Sequence, residues 1–323
     1  MTPIRFGILG LGGIAPKFVD AINQCDGATL YAVAARDDAK AAAFATQYGA
    51  QVSYGSYEAL VQDENVDIVY ISVIHTYHVA LAKLAITHGK AVICEKPLSV
   101  DLAALEELIA LAKEKNVLLM EALWSRFLPQ YNKAKQWIAE GKIGDARLFT
   151  ASFSYNSPYD PTRQVFDPAR SGGAVFGVGC YTISAALDFC GGQLPTHITG
   201  AAHMTPSGVD SIGAASLVFE NGMLANFTFG SEARTEHCAY IYGGCGKIKL
   251  EKFYDCHKVM LYNDKEELIE TCSDEVENGF IYETQHFCDL YRASKKESDV
   301  MSLQNSLDCM QVIETLRLKY LAQ

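Results

Sequence analysis

Across 323 residues the chain is 49% hydrophobic, contains ten cysteines and carries a formal net charge of −11, so it can bury large cores and divide into two domains. The negative charge opposes nonspecific attraction to nucleic acid or to an anionic membrane surface, leaving room only for a local basic pocket. No apolar run approaches the roughly 20 residues of a membrane span, and Met1 to Arg5 lead straight into a strand pattern with no signal-peptide core, so a cytoplasmic protein is expected. The cysteines form no C-x-x-C pair and no Cys/His cluster, which reads as reduced, mostly buried thiols and no metal site.

A first strand is expected over residues 4–9. It runs into Gly10-Leu11-Gly12-Gly13-Ile14-Ala15, a G-x-G-x-x-A turn that opens a helix through Phe18, Val19 and Ile22. Gly10 permits the tight turn, Gly12 lets a pyrophosphate reach the backbone, Ala15 allows close helix-to-strand packing, and the helix start offers amide hydrogens. Gly10, Gly12, Gly13, Ile14 and Ala15 are therefore candidate dinucleotide contacts. The next strand, residues 30–34, ends in Ala35-Arg36-Asp37, where an NAD site usually carries an acid for the ribose 2′-hydroxyl. Arg36 suits a 2′-phosphate instead, so NADP is the expected cofactor and NAD the less favoured one, with Asp37 one residue later keeping NAD open.

Helical segments over residues 41–48 and 57–62 lead to a strand at 66–72. The loop after it carries His75 and His78, which could touch cofactor or substrate or equally cap the helix that runs to Gly89. An apolar run, residues 91–94, then delivers Glu95-Lys96-Pro97 at its carboxyl edge, where ligands collect in open α/β sheets. A helix over 101–115, with Leu105, Leu108, Ile109 and Ala112 on one face, and a strand at 117–120 complete an alternation that implies a parallel sheet.

Past Glu121-Ala122-Leu123-Trp124-Ser125-Arg126-Phe127 the pattern changes. A helix is expected over 130–140 and strands around 146–155, 198–204, 211–219 and 223–229. Asn221-Gly222 marks a tight hairpin, and Met223, Ala225, Phe227 and Phe229 alternate onto one face. A last helix, 302–320, carries Leu303, Leu307, Met310, Ile313, Leu316 and Tyr320 along one stripe, fit to cover that sheet or to dock on the first domain.

Glu95-Lys96-Pro97, Trp124-x-Arg126-Phe127 and the glycine turn together resemble the glucose-fructose oxidoreductase / inositol dehydrogenase (Gfo/Idh/MocA) family. Within it, the stretch 121–127 and the Ile74-His75-Thr76-x-His78 loop look most like dimeric dihydrodiol dehydrogenases and NADP-dependent D-xylose dehydrogenases. The resemblance implies an α/β chain: an N-terminal Rossmann domain with a parallel sheet over residues 1–121, then a C-terminal α+β domain with a large, mostly antiparallel sheet over 122–323. It implies that this second sheet covers the nicotinamide and makes a homodimer interface. Glu95, Lys96, Trp124 and Arg126 then join Arg36, His75 and His78 as expected cofactor contacts. The stretch 171–181 resembles the family pattern G-G-x-x-x-D-x-G-x-[HY]; Tyr181 matches its last position, while Gly177 stands where the family has an aspartate. Gly279-Phe280-Ile281-Tyr282-Glu283 resembles the relatives' segment that supplies an aromatic to the substrate pocket, so Phe280 and Trp124 are expected as its walls, or else as ordinary core.

Oxidising a secondary alcohol or a hemiacetal needs a hydride acceptor and a group that takes the hydroxyl proton. Lys96 and Tyr181 are the expected catalytic and substrate-binding pair, since burial tunes a lysine and a neighbouring ammonium tunes a tyrosine toward that task. The leading expectation is an oxidoreductase moving a hydride between NADP and a small sugar, cyclitol or trans-dihydrodiol. A non-catalytic dinucleotide-binding sensor or regulator of the same fold competes with it, and Gly177 is its best support.

Overall fold

The computed structural model describes residues 2–274 and 276–321, Tyr320 by its backbone alone; Met1 and the Tyr320 side chain lie outside the described residues. Two compact units divide the chain, residues 1–124 with 278–306 and residues 125–277 with 307–323.

The first unit is built on a six-stranded parallel sheet. Its strands are β1 (Ile4–Leu9), β2 (Ala28–Ala34), β3 (Val52–Tyr54), β4 (Ile68–Ile71), β5 (Ala91–Glu95) and β6 (Leu119–Ala122), in the spatial order β3-β2-β1-β4-β5-β6. Every residue of β4, β5 and β6 is buried, as continuous apolar strands must be when helices cover both faces. Local signals fix the helices. Asp37 caps α2 (Asp38–Tyr48) through the Lys40 amide at 3.1 Å, and Asp101 caps α5 (Leu102–Lys115) through the Ala104 amide at 2.7 Å. α1 (Ala15–Gln24) instead starts at Ile14 with no side-chain cap and Pro16 in its first turn. The short edge strand β3 was not expected; its three half-buried residues offer no apolar run to read.

A later helix, α8 (Phe280–Arg292), belongs to this unit. Phe280, Glu283, Thr284, Phe287 and Cys288 form its buried face at helical spacing, and Asn278 ties its start to α1 through the Lys17 carbonyl and Asp20, both at 2.7 Å.

The second unit carries an eight-stranded sheet: β7 (Ala146–Ser154), β8 (His197–Met204), β9 (Asp210–Val218), β10 (Leu224–Gly230), β11 (Ala239–Gly243), β12 (Gly246–Glu251), β13 (Lys258–Asn263) and β14 (Leu268–Ser273). The order is β14-β13-β12-β11-β7-β10-β9-β8, and only the β7/β10 pair is parallel. The Asn221-Gly222 hairpin joins β9 to β10, with Gly222 at φ 81° and Leu224 opposite Val218. Met223, Ala225, Phe227 and Phe229 are all buried, on the face that packs under α7 (Cys180–Phe189).

The expected helix over 302–320 is shorter: α9 (Leu303–Leu316) gives way to a π-helical turn at Arg317–Leu321. Gly200 on β8 leaves the space that the Leu316 side chain fills, since a Cβ there would lie 2.9 Å from Leu316 Cδ2. The expectation of no stretch suited to a membrane needs one correction. The helical stretch Pro168–Phe189 is long and apolar enough, but 83% of its most apolar window is buried inside the fold, which makes it a core element.

Candidate functional site

In the first unit the strand order reverses between β1 and β4, the switch point outside whose carboxyl ends ligands bind in open α/β sheets. Gly10 makes the turn at φ +94°, a conformation closed to most side chains, and a Cβ on it would collide with Val73. The Ser72 hydroxyl donates to the Gly10 carbonyl at 2.7 Å and locks the glycine turn to the end of β4. Beyond that lock the turn is open. A Cβ at Gly13 would meet nothing within 4 Å and one at Gly12 only the Ser72 carbonyl at 3.6 Å, so the protein's own packing does not demand either glycine. Ala15 is fully buried beneath them, and Ile14 leads into α1 with no side chain on its first amides. These residues fit a dinucleotide pyrophosphate: bare backbone, an uncapped helix start, and room for the ligand.

Arg36 is exposed just past β2, with Tyr57 in its field, while Asp37 is occupied capping α2. His75 is half-buried at the mouth of β4. His78 does something else: it is fully buried, its Nδ1 2.8 Å from the Pro97 carbonyl and its Nε2 3.0 Å from the Val73 carbonyl. Burial pushes this imidazole below its usual range, against the pull of the two carbonyls, and the neutral ring donates its single N–H to one of them. In the folded chain His78 clasps the loops after β4 and β5 together.

Lys96 is half-buried at the end of β5, joined to Pro97 by a cis peptide. Beneath it Glu95 is buried, taking the Tyr70 hydroxyl on Oε1 at 2.7 Å and the Lys96 amide on Oε2 at 3.3 Å. Burial pushes the Glu95 carboxyl up, against the Lys96 charge and the Tyr70 hydrogen bond. Glu121 holds the following turn through the Leu98 amide at 3.0 Å. Trp124, the last residue of this stretch, stacks on Phe280 with centroids 4.6 Å apart and planes 14° off parallel, so the two expected walls do meet.

In the second unit, Arg126 turns inward. It is 2% exposed, gives Nε to Ser184 Oγ at 2.9 Å and Nη2 to the Ser184 carbonyl at 3.0 Å, and faces Asp188. Those contacts anchor α7, the helix that carries Tyr181. Tyr181 sits in an aromatic cluster, edge-on to Phe153 at 5.6 Å and to Tyr254 at 5.9 Å. Tyr254 stacks flat on Phe153 at 3.9 Å. His237, at φ 62°, gives its Nε2 hydrogen to the Ser154 carbonyl at 2.7 Å, which leaves Nδ1 to accept at 3.5 Å from the Tyr254 hydroxyl. At Gly177 a Cβ would meet nothing within 4 Å.

The turn before α7 is fixed by Asp210 from β9. Its carboxylate accepts the Val175 amide at 2.7 Å and fills the space that Gly173, at φ +119°, leaves free. Burial pushes Asp210 up to about 6 against the pull of those amides. Phe153, Tyr254, His237 and Asp210 were missed in the sequence; only the glycine pair before α7 hinted that something must come close there. Among the described residues, no group of three or more His, Cys, Asp or Glu is placed to hold a metal.

Comparison with known proteins bears on both units. Residues 4–123 match the model of the oxidoreductase family with the NAD-binding Rossmann fold, and residues 131–249 match the Gfo/Idh/MocA C-terminal domain. The trans-1,2-dihydrobenzene-1,2-diol dehydrogenase of Mus musculus is 30% identical over 97% of this chain and 96% of its own length. That of Macaca fascicularis is 31% identical over the same shares. Among solved structures, a 3-ketoreductase from Actinomadura kijaniata in complex with NADP and TDP-benzene superposes with a TM-score of 0.89 at 25% identity, covering 99% of this chain and 98% of that one. An aldose-aldose oxidoreductase from Caulobacter crescentus shares the fold, with a TM-score of 0.88 at 22% identity over 98% and 97% of the two chains.

Proposed function

The chain belongs to the Gfo/Idh/MocA family of NAD(P)-binding oxidoreductases, and on that premise we propose an NADP-dependent dehydrogenase or reductase that acts on a CH–OH group of a small sugar, cyclitol or trans-dihydrodiol. The open glycine cradle at the β1/β4 switch point carries this reading, because it is shaped for a ligand that the protein's own packing does not require. Nicotinamide supplies the hydride chemistry when bound. The amides of Gly12, Gly13 and Ile14 would hold the pyrophosphate, Arg36 would take the 2′-phosphate, and His75 and Trp124 would contribute further contacts. Lys96 takes the hydroxyl proton in oxidation and returns it in reduction. Tyr181 is the second proton-handling group of this reading, and the Trp124–Phe280 stack offers an apolar wall to the substrate ring.

Two finer assignments go with it. Small side chains on the second unit's sheet support homodimerisation through that face, and ten free thiols suit a reducing compartment, the cytoplasm. The test is a turnover assay on purified protein with NADP and NADPH against polyols, aldoses and their carbonyl counterparts, read at the nicotinamide absorbance. Gly177 favours the sensor reading, in which wild type binds NADP without turnover; turnover with any polyol excludes it.

A further inference from the structure

Glu283 on α8 is fully buried, and neither of its carboxyl oxygens has a hydrogen-bond partner. A buried acid left this way costs stability, so it calls for an explanation. It lies in the field of Glu95, on the same helix face as Phe280, the residue stacked on Trp124. The surroundings of the pair are aromatic and buried: Tyr70 is fully buried and stacks flat on Phe18 of α1, with centroids 3.5 Å apart. Two neighbouring carboxyls in such surroundings do not both ionise. Glu95 has the Tyr70 hydroxyl, the Lys96 amide and the Lys96 charge to hold it as an anion, and Glu283 has none of these.

We propose that Glu95 is a positioning residue for Lys96, and that Glu283 keeps the proton of the pair, so that one negative charge rather than two stands under the lysine at the edge of β5. The inference rests on Lys96 as the proton-handling group. The ionisable neighbours that face the pair are Tyr70 on β4, Cys94 on β5, Glu121 on β6 and Lys96 itself. Tyr70 and Cys94 are both pushed well above their ordinary values by burial and stay neutral, and the field of Glu121 acts to raise Glu95. The helix thus links the aromatic wall to the charge under the lysine, because Phe280 and Glu283 lie one turn apart.

Two measurements test this on the full chain. The first is kcat/KM for alcohol oxidation against pH. Glu95→Gln removes the anion beside Lys96 and should move the acid limb to lower pH by about one unit, a tenfold change. Tyr70→Phe, which weakens the anion, should move it the same way by less, and Glu283→Gln should not move it down. A downward shift in Glu283→Gln as large as in Glu95→Gln, or none in Glu95→Gln, overturns the assignment. The second is the melting temperature of wild type and Glu283→Gln from pH 4 to 9. The unfolded chain sheds the Glu283 proton at about pH 4.3 while the folded chain keeps it, so wild type loses stability relative to the variant as pH rises. The variant's advantage should grow with pH above that point. An advantage that is flat, or that reverses, places the charge on Glu283 and overturns the proposal. Absence of turnover in wild type would sink the role of Lys96, while the melting comparison, which needs no turnover, still locates the proton.

Discussion

Arg36 stands exposed just past β2 with no acid competing for its position, because Asp37 is spent on the α2 cap. A charge-assisted contact to a 2′-phosphate is worth about 1.5–3 kcal/mol, so Arg36→Ala should weaken NADP binding roughly ten- to a hundredfold and hardly change NAD binding. Calorimetric titration of both cofactors checks it, and equal losses for the two would remove Arg36 from cofactor selection. Lys96→Met keeps the stem's bulk and removes the ammonium; Tyr181→Phe keeps the ring and removes the hydroxyl. Each should lower kcat by about 10²–10⁴-fold with NADP affinity near wild type. A variant that keeps full kcat strikes that residue from the mechanism. At this scale the sequence was readable where a residue type is tied to one backbone geometry or one chemistry, as at Gly10, Arg36 and Lys96. It was silent on where a polar residue turns inward. The partners that Arg126 and His78 take within the protein lie 58 and 19 positions away, and nothing in the local sequence announces them.

The element that most depends on an unseen partner is α7. Its start bears glycines at 172, 173, 177 and 179, and no residue of its own caps it; Asp210, 35 positions on, supplies the carboxylate. Burial raises the folded-state pKa of Asp210 from 3.8 to about 6. An acid raised in this way keeps its proton in the folded chain after the unfolded chain has lost it. Its contribution to stability therefore falls as pH rises through that window, and is constant above it. Asp210→Asn should remove this slope while keeping an oxygen for the Val175 amide, so the melting temperature of the variant should gain on wild type between about pH 4 and 6 and then run parallel to it. A variant that loses ground across the same interval would show that the carboxylate is stabilising as an anion. The strands β11 to β14 were overlooked for a different reason. They are five or six residues long, and their outward positions are filled by Tyr240, Tyr242, Lys247 and Lys249, which hide the alternation of Ile241, Ile248 and Leu250 on the buried face.

At the scale of the whole molecule, two periodicities carried the fold into view: alternating strands and helices to residue 120, then hairpin strands with polar and apolar residues in turn. The return of residues 278–306 to the first unit leaves no mark in composition, because a helix that packs on α1 and one that packs on the second sheet need the same apolar stripe. The other face of the second sheet carries small side chains. Thr199 and Ala201 on β8, Ala214 and Ser216 on β9, and Asn226 and Thr228 on β10 line a shallow depression of about 530 Å³, and Val218 and Leu224 are exposed beside it. Small, uncharged side chains on a wide flat sheet suit a second copy of the same surface, since a two-fold interface sets each patch against itself. Such an interface is vulnerable at its centre. Asn226→Arg would place a guanidinium there, and the two-fold would bring its copy close by, so the substitution costs both desolvation and like-charge repulsion. The Ser216 hydroxyl, which donates to Asn226 Oδ1 at 2.6 Å, can turn to water, so the unit should keep its fold. Sedimentation velocity at micromolar concentration should show a dimer for wild type and a monomer for Asn226→Arg, with unchanged circular dichroism. A wild type that sediments as a monomer removes the dimer proposal, and a variant that remains a dimer moves the interface to another surface.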